Sequence, residues 1–277
     1  MIMYSVIVPW HRNDELLQKA LKSVPDRPDV ELLPVEDKER RGAGYARNQA
    51  LAKAQGRWLL FLDSDDYFTP DAFDILDRHA DDDAEVVYFK RRAVMLETGE
   101  PSRRTADKNN MLEAYSSRPA ELEFFCRYCC PEPTDKMVRR ELGEREGIRF
   151  DETLCANDYM FSLLCGRYAR KVAYDPSSYY VVTESEGSIS MNYFDQPRKQ
   201  LDRMDVYWRV QQLLASWGLH LYPFSGIWMM ARKAGPQARE VAEEFRRKNR
   251  ISRLKIWCGC FNRVLRKRLH IGVPFNA

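Results

Sequence analysis

The first 90 residues alternate short apolar runs with stretches of helical periodicity, and this alternation constrains the fold more than any other feature. Short apolar runs of this kind are typical of buried strands, since they are too brief for ordinary helices. Nearly continuous apolar strands that alternate with helices form a mainly parallel sheet covered by helices on both faces. The sequence therefore predicts an α/β fold, with strands at residues 5–9, 31–35, 58–62 and 85–89.

Three helices are predicted between these strands. Asp14 can cap the first helix, because its side chain can accept a hydrogen bond from a backbone N–H of the first turn. The Ala-rich stretch 43–55 predicts the second helix, and Gly56 stands where a glycine often terminates a helix. Pro70 suits the first turn of the third helix, where its missing N–H is not needed.

The pattern changes beyond the fourth strand. Residues 97–120 are polar and lack a clear period, which predicts a loop or a weak helix over the sheet edge. A further strand is expected at 179–182. From about residue 195 the pattern is helical, with breaks near Pro223 and at Gly235.

This organisation predicts two domains. The first covers residues 1–190 and consists of two halves, 1–92 and 93–190. The second, 191–277, is expected to be helical and to end in a basic amphipathic tail over residues 246–270.

No apolar run in the sequence approaches the roughly 20 residues that a membrane-spanning helix needs. The first residues also lack the basic region and the small-residue cleavage site of a signal peptide. Hydrophobic residues make up 44% of the chain and charged residues 31%, which excludes collagen-like and mainly disordered classes. We therefore expect a folded cytoplasmic protein.

Seven cysteines cannot all pair with one another, which favours reduced thiols in a reducing cytosol. Cys126 and Cys129 have the spacing of half a zinc site, but no second pair or nearby histidine would complete a tetrahedron. Structural thiols are therefore preferred over a zinc site.

An acidic tetrad, Asp63-Ser64-Asp65-Asp66, follows the third strand directly. In an extended segment Asp63 and Asp65 would point to the same side, so both could meet one cation or one ligand. Such pairs suit reactions of diphosphates, in which a divalent ion bridges phosphate oxygens and one or two carboxylates. The alternative is an acidic turn that caps the next helix.

The predicted topology also brings together residues that are far apart in the sequence. In a mainly parallel sheet, ligands bind outside the carboxyl ends of the strands. Pro9, Asp37 and Asp63 each lie at or just beyond such a strand end. We therefore expect these three residues on one edge of the sheet.

Four short motifs occur in order between residues 4 and 92: SVIVP at 5–9, VED at 35–37, GAGYARNQAL at 42–51 and FLDSDD at 61–66. Together they resemble the nucleotide-sugar half of a family 2 glycosyltransferase, an inverting enzyme with the Rossmann-like GT-A fold, and a weaker resemblance continues to about residue 190. The resemblance implies a metal-dependent transfer of sugar from a nucleotide sugar, of which a UDP-sugar is expected.

The resemblance implies donor-binding roles for three residues of this half. Pro9 resembles the strand-end residue beside the nucleotide base, and Asp37 resembles the carboxylate that contacts the uridine part. Arg47 resembles a basic residue near the donor nucleotide. For Arg47 the alternative is an ordinary solvated arginine on a helix.

The same resemblance assigns the acidic motif to the donor and its metal ion. Asp63 resembles the first aspartate of the family's DxD motif, on the ribose or metal side. Asp65 resembles the aspartate that binds Mn²⁺ or Mg²⁺, and Ser64 between them belongs to the donor site.

The second half resembles the family segment that carries the catalytic base. The similar stretches are 135–142 and 147–152, followed by Asn157 and Asp158. Because Asn157 replaces the usual glutamate of an acidic pair, Asp158 is the expected base. The competing interpretation is that Asp158 merely caps the helix that follows it.

The end of the chain is strongly basic. Residues 246–277 contain ten Lys or Arg and no acidic residue. Within 246–270 the apolar residues recur at steps of three and four, at Ile251, Leu254, Trp257, Phe261, Val264 and Leu265. This pattern predicts a basic amphipathic helix over 246–270 at an anionic membrane surface. A helix packed on the domain is the main alternative; nucleic acid binding lacks a recognised motif and is not expected.

These features together predict a glycosyltransferase that modifies a hydroxyl of a glycan or lipid-linked acceptor. A role in lipopolysaccharide, capsule or other surface polysaccharide synthesis is expected, at the inner face of the cytoplasmic membrane. Three alternatives stay open at this point: a haloacid dehalogenase-type phosphatase, a sugar-phosphate nucleotidyltransferase, and a catalytically silent, membrane-associated sugar-nucleotide-binding protein. Tyr67 disfavours the first, and the absence of a Gly-rich loop after the first strand disfavours the second.

Overall fold

The computed structural model describes residues 1–12, 14–185 and 196–269, with the side chains of the last helix described as far as Phe261. The described residues divide into two compact units. One unit holds all the strands, and the other consists of helices with a short stretch, Thr153–Ala156, from the middle of the chain.

The first unit begins with an alternation of strands and helices, as predicted. Its elements are β1 (Tyr4–Trp10), α1 (Glu15–Lys22), β2 (Val30–Glu36), α2 (Ala43–Leu51), β3 (Trp58–Phe61), β4 (Tyr67–Phe68), α3 (Ala72–Asp77), β5 (Val86–Phe89), β6 (Arg92–Met95), α4 (Ala106–Tyr115), α5 (Pro119–Cys129), β7 (Lys136–Arg139), α6 (Arg140–Arg145), α7 (Tyr159–Tyr168), β8 (Val172–Asp175) and β9 (Tyr180–Glu184).

The central sheet has six strands in the order β2-β1-β3-β7-β5-β8. β1 pairs in parallel with β2 and β3, and β5 pairs in parallel with β8, whereas β7 runs antiparallel between β3 and β5. The prediction of a mainly parallel sheet is therefore confirmed. A second, three-stranded sheet has the order β4-β9-β6.

The core of this unit lies on both faces of the central sheet. Every residue of β1 from Tyr4 to Pro9 is buried, as are all four residues of β3 and of β5. Such strands need apolar side chains on both faces, which explains the uninterrupted apolar runs in the sequence. Each fully buried large apolar side chain contributes roughly 1.5–3 kcal/mol.

Two predictions about helix ends have different outcomes. Asp14 caps α1 as expected, because its carboxylate accepts a hydrogen bond from the Leu17 N–H at 3.1 Å. The expectation for Gly56 is wrong, since α2 already ends at Leu51. Gly56 instead permits close backbone packing: a Cβ there would lie 2.5 Å from the Ser5 nitrogen.

One further boundary differs from the sequence prediction, whereas the region 97–120 follows one of its two predicted alternatives. The third helix begins at Ala72 rather than at Pro70, because the short strand β4 and a turn come first. The polar region 97–120 contains a ten-residue helix, α4, whose Leu112 and Tyr115 are buried. Within α4 only these two residues are buried, so no apolar period is evident in the sequence.

The second unit consists of α8 (Pro197–Ser216), α9 (Pro223–Ala234), α10 (Pro236–Lys248) and α11 (Arg253–Leu269). The breaks predicted near Pro223 and Gly235 are confirmed, and each following helix begins with proline. Its core includes Met204, Phe224 and Phe245.

The basic tail is not the single helix that the sequence predicted. α10 ends at Lys248 and α11 starts at Arg253, and Arg250 between them has a φ of 53°, which is outside the helical range. Residue 270, the last of the predicted tail, lies outside the described residues. Among the helices that the structure describes, none has both the length and the apolarity to cross a bilayer.

Candidate active site

The candidate site lies at the carboxyl edge of the central sheet. The Asp37 N–H donates to the Trp10 carbonyl at 2.7 Å, and the Leu62 N–H donates to a β1 carbonyl at 3.0 Å. These bonds hold the residues after β2 and β3 beside the end of β1. Pro9, Asp37 and Asp63 therefore lie at the ends of neighbouring parallel strands, as the topology predicted.

Asp37 orders the loop that leads into α2. Its two carboxylate oxygens accept the backbone N–H of Arg41 at 2.9 Å and of Gly42 at 2.7 Å. The side chain is buried, as is Pro9 in β1. Asp37 therefore has a structural role that sequence reasoning did not predict, whatever it also binds.

Arg47 connects the sheet edge to the segment that precedes α7. The residue is only 4% exposed, so the alternative of a solvated helix arginine is wrong. Its Nη2 donates to Asp63 at 2.6 Å, and its Nη1 donates to the Asn157 side-chain oxygen at 2.9 Å. The guanidinium also lies 5.1 Å from the centre of the Phe150 ring. Arg47 thus contacts a residue, Asn157, that lies 110 positions away in the sequence.

Gly44 makes this connection possible. A Cβ at this position would lie 2.0 Å from the Asp151 carbonyl oxygen and 2.8 Å from the Asn157 Cβ. Only a glycine allows α2 to approach Asp151 and Asn157 so closely. The approach positions Arg47 one turn later on the same helix.

Substituting Gly44 with alanine is expected to destabilise the fold by about 1–3 kcal/mol, because the added methyl group forces α2 away from the Asp151 backbone. Thermal unfolding should show a midpoint several degrees lower than that of the unsubstituted chain. The control is Gly143→Ala in α6, where a Cβ meets nothing within 4 Å. Equal unfolding midpoints for the two variants would contradict the close approach.

The acidic tetrad forms a turn, so the expectation of an extended segment is wrong. The Asp66 N–H donates to the Asp63 carbonyl at 3.0 Å. The tetrad does not cap α3 either, because the capping position is Asp71. Asp63 and Asp65 nevertheless share this turn, and the pKa of Asp65 is raised by desolvation and, second, by the charge of Asp63.

Asp66 anchors this turn to β9. Its buried carboxylate accepts hydrogen bonds from the Tyr180 hydroxyl at 2.7 Å and the Thr183 N–H at 2.8 Å. Burial, followed by the charges of Asp65 and Asp63, raises the Asp66 pKa to about 8. The Tyr180 hydroxyl also accepts the Asp63 N–H at 3.1 Å. The anchoring of the turn by Asp66 and Tyr180 was not predicted from the sequence. Its only signal there was the extra acidic residue, Asp66, directly after Asp65.

Asp65 is the most accessible acidic group of the turn. The residue is exposed, although desolvation by the surrounding protein, followed by the charge of Asp63, raises its pKa. Ser64 beside it is partly exposed. Among the described residues no three His, Cys, Asp or Glu side chains are grouped as a metal site by themselves.

Asp158 occupies the capping position of α7, but its side chain makes no capping hydrogen bond. A plain helix cap therefore does not describe it. Desolvation raises the pKa of Asp158; the positive charge of Arg47 opposes this shift, while Glu132 and Asp63 add to it. The charges of Arg47 and Asp63 therefore act on Asp158, which directly follows Asn157, a hydrogen-bond partner of Arg47.

An ionic group near Asp158 was not identified from the sequence. Glu132 forms ion pairs with Lys108 at 2.6 Å and with Arg91 at 3.1 Å. Burial alone would raise the Glu132 pKa, but Lys108 and Arg91 lower it well below its usual range. These residues come from separate segments, so no local motif could indicate the group.

Comparison with known proteins gives this geometry a context. Residues 33–142 match the family described as "Glycosyl transferase family 2". The succinoglycan biosynthesis protein ExoO of Rhizobium meliloti is 30% identical over 175 residues, which are 61% of this chain and 49% of that protein. The Staphylococcus aureus poly(ribitol-phosphate) β-N-acetylglucosaminyltransferase TarS is 25% identical over 256 residues, 78% of this chain and 40% of TarS. The chain therefore spans at most about half the length of these two relatives.

A crystal structure of TarS residues 1–349 in complex with UDP-GlcNAc superposes on this chain with a TM-score of 0.56 and 22% identity. The superposition covers 78% of this chain and 66% of the TarS fragment. This likeness confirms the expected fold class.

Proposed function

We propose that this chain, whose residues 33–142 match glycosyltransferase family 2, transfers a sugar from a nucleotide sugar to a hydroxyl group, with inversion at the anomeric carbon. The observation that carries the proposal is the bridge formed by Arg47. It ties Asp63, on the sheet edge, to Asn157, the residue before Asp158. This bridge supports the proposal because it connects the acidic edge to the residue next to the candidate base.

Asp158 is the proposed catalytic base. It takes the proton of the acceptor hydroxyl as that oxygen forms a bond to the anomeric carbon, while the bond to the nucleoside diphosphate breaks on the opposite side. A base works best when its pKa lies near the operating pH, and the raised pKa of Asp158 moves in that direction. Its carboxylate is also not engaged as a helix cap.

The donor is proposed to bind in the half formed by residues 1–92, with the half 93–190 contributing the acceptor side and the base. The proposed donor-binding residues are Pro9, Asp37, Arg47, Asp63 and Ser64. Position supports the assignment, since several of these lie at the carboxyl edge where ligands of such sheets bind. Arg47 orients Asp63 in this arrangement and adds a buried positive charge near an anionic substrate.

The acidic turn fits a divalent cation, for which we propose Mn²⁺ or Mg²⁺. Mg²⁺ is usually held by one or two carboxylates together with substrate phosphates, so no three-residue cluster is required. Exposed Asp65 would provide the main ligand, with Asp63 assisting, while Asp66 and Tyr180 hold the turn. A bound ion would neutralise negative charge on the departing diphosphate.

The substrate class is proposed from the relatives. ExoO is named for succinoglycan biosynthesis, and TarS for transfer of N-acetylglucosamine to poly(ribitol-phosphate), with a structure that contains UDP-GlcNAc. These names support a UDP-sugar donor and a glycan or lipid-linked acceptor. We propose a role in lipopolysaccharide, capsule or another surface polysaccharide.

The proposed location is the cytoplasm, at the inner face of the cytoplasmic membrane. A lipid-linked acceptor would be met there, and the basic residues of 246–270 would be attracted to anionic lipids.

A thermal-shift screen of nucleotide sugars with and without Mn²⁺ tests donor binding. The correct donor should raise the unfolding midpoint, because a ligand at 100 times its Kd adds about 2.7 kcal/mol to the free energy of unfolding. UDP-sugars should exceed the corresponding sugar 1-phosphates, which serve as the control. No shift with any nucleotide sugar would contradict the proposal, and a shift without sugar transfer would identify a silent binding protein.

A further inference from the structure

One face of α11 packs firmly on the helical unit. Ile256 is 2% exposed within the core of that unit. A Cβ at Gly259 would lie 2.2 Å from the Ser225 Oγ, and the Cys260 thiol approaches the Ser225 carbonyl at 3.8 Å. This inner face fixes the orientation of the helix on α9.

The outer face of α11 is apolar and exposed. Leu254, Trp257 and Phe261 are 68%, 63% and 54% exposed. Their spacings of three and four residues place them on one stripe of the helix, opposite Ile256 and Gly259. The rings of Trp257 and Phe261 stack with their centres 5.6 Å apart. A stripe of this kind marks an interaction surface.

An apolar cavity of about 470 Å³ continues this stripe into the helical unit. Trp208 and Leu219 line it, and Leu254 belongs to both the stripe and the cavity wall. Lys255 also lines it and holds its ammonium 5.2 Å from the centre of the Trp208 ring. Such a size and lining are typical of sites for apolar ligand groups.

The charge around the stripe indicates which partner it fits. Residues 246–268 contain ten Lys or Arg, and no acidic residue occurs from there to the end of the chain. Lys248, Arg250 and Lys255 are exposed, whereas Arg246 and Arg253 pair with Glu243. Exposed aromatic residues beside an excess of cations are typical of helices that lie in a membrane interface.

We propose that the outer face of α11 docks on an anionic phospholipid bilayer. Trp257 and Phe261 insert below the headgroups, the surrounding cations contact lipid phosphates, and the cavity takes the end of an acyl chain beside Leu254. The helix lies in the plane of the interface and does not cross the membrane. This inference deepens the membrane location proposed above and is independent of the proposed sugar transfer.

Co-sedimentation with vesicles tests the docking. The unsubstituted chain should bind vesicles of phosphatidylcholine with 30% phosphatidylglycerol, bind pure phosphatidylcholine at least tenfold more weakly, and lose binding in high salt. The double substitution Trp257→Ser and Phe261→Ser should weaken binding at least tenfold. The control is Leu201→Ser on α8, which removes another exposed apolar side chain and should leave binding unchanged.

An environment-sensitive dye on exposed Cys258, which also lines the cavity, reports the apolar contact directly. Its emission should shift to shorter wavelength when anionic vesicles are added.

Equal vesicle binding by the double-serine variant, with an unchanged thermal midpoint, would overturn the proposal. So would a dimer that forms through Trp257 and Phe261 and persists on vesicles. The thermal shift caused by nucleotide sugars should be the same in the double-serine variant, in Leu201→Ser and in the unsubstituted chain. This readout separates the docking test from the test of the proposed function.

Discussion

Asp158→Asn is expected to lower the turnover number by about 10²–10⁴-fold. Asparagine has nearly the same shape as aspartate but cannot take up the acceptor proton. Because the Asp158 side chain makes no capping bond in α7, the thermal midpoint should change little. Release of nucleoside diphosphate and formation of glycosylated product measure the effect, with Asp74→Asn, an exposed aspartate on α3, as the control.

The pH dependence of the transfer rate is an independent test of the role of Asp158. Only ionised Asp158 can act as a base, so the rate should rise with pH and level off above the Asp158 pKa. Desolvation raises that pKa, so the midpoint should lie above the ordinary range of an aspartate. Asp158→Asn should remove this rising limb from the residual activity. Unchanged rates, or an unchanged pH profile in the variant, would refute the assigned role.

The positions of the first strands could be predicted because each one is an uninterrupted apolar run. β1 was predicted at 5–9 and extends over Tyr4–Trp10. β7 was missed, since it begins with Lys136, a charged residue that is fully buried. The Lys136 ammonium is compensated by the Cys130 carbonyl at 2.9 Å and by Asp135 at 2.8 Å, partners that a hydrophobicity pattern cannot indicate.

Individual residues of the candidate site could be predicted from the sequence, but the hydrogen bonds and ion pairs between them could not. Motifs identified Asp63 and Arg47 separately, yet the ion pair between them and the bond from Arg47 to Asn157 depend on how α2 packs. Asp66 is held by Tyr180, 114 positions away on β9. Contacts over such separations arise from the topology, and a single sequence does not specify them.

The packing of the basic tail could not be predicted from the sequence either. Periodicity grouped Ile251 with Leu254, Trp257 and Phe261, because it records only spacing. In the structure Ile251 is 2% exposed and belongs to the core, whereas the other three face outward. Which stripe is covered depends on packing against α9, through Gly259. The two alternatives considered for the tail, a packed helix and an exposed amphipathic one, therefore describe opposite sides of α11.

Asp65→Asn is expected to lower the rate of transfer by roughly 10²-fold or more, because it removes the exposed carboxylate proposed to hold the divalent cation. Asp66, Tyr180 and Thr183 still hold the turn, so the unfolding midpoint without ligand should be nearly unchanged. The additional stabilisation by UDP in the presence of Mn²⁺ should disappear in the variant, and Asp74→Asn should retain it.

The raised pKa of Asp65 adds a test with a definite sign. A proton competes with the cation for this carboxylate, so the Mn²⁺ concentration that gives half of the UDP-dependent thermal shift should increase as the pH falls. In Asp65→Asn this pH dependence should be lost, together with the thermal shift at low Mn²⁺ concentration. If the unsubstituted enzyme transfers sugar equally well in excess EDTA, and Asp65→Asn transfers at the same rate, the acidic turn serves the donor without a metal ion.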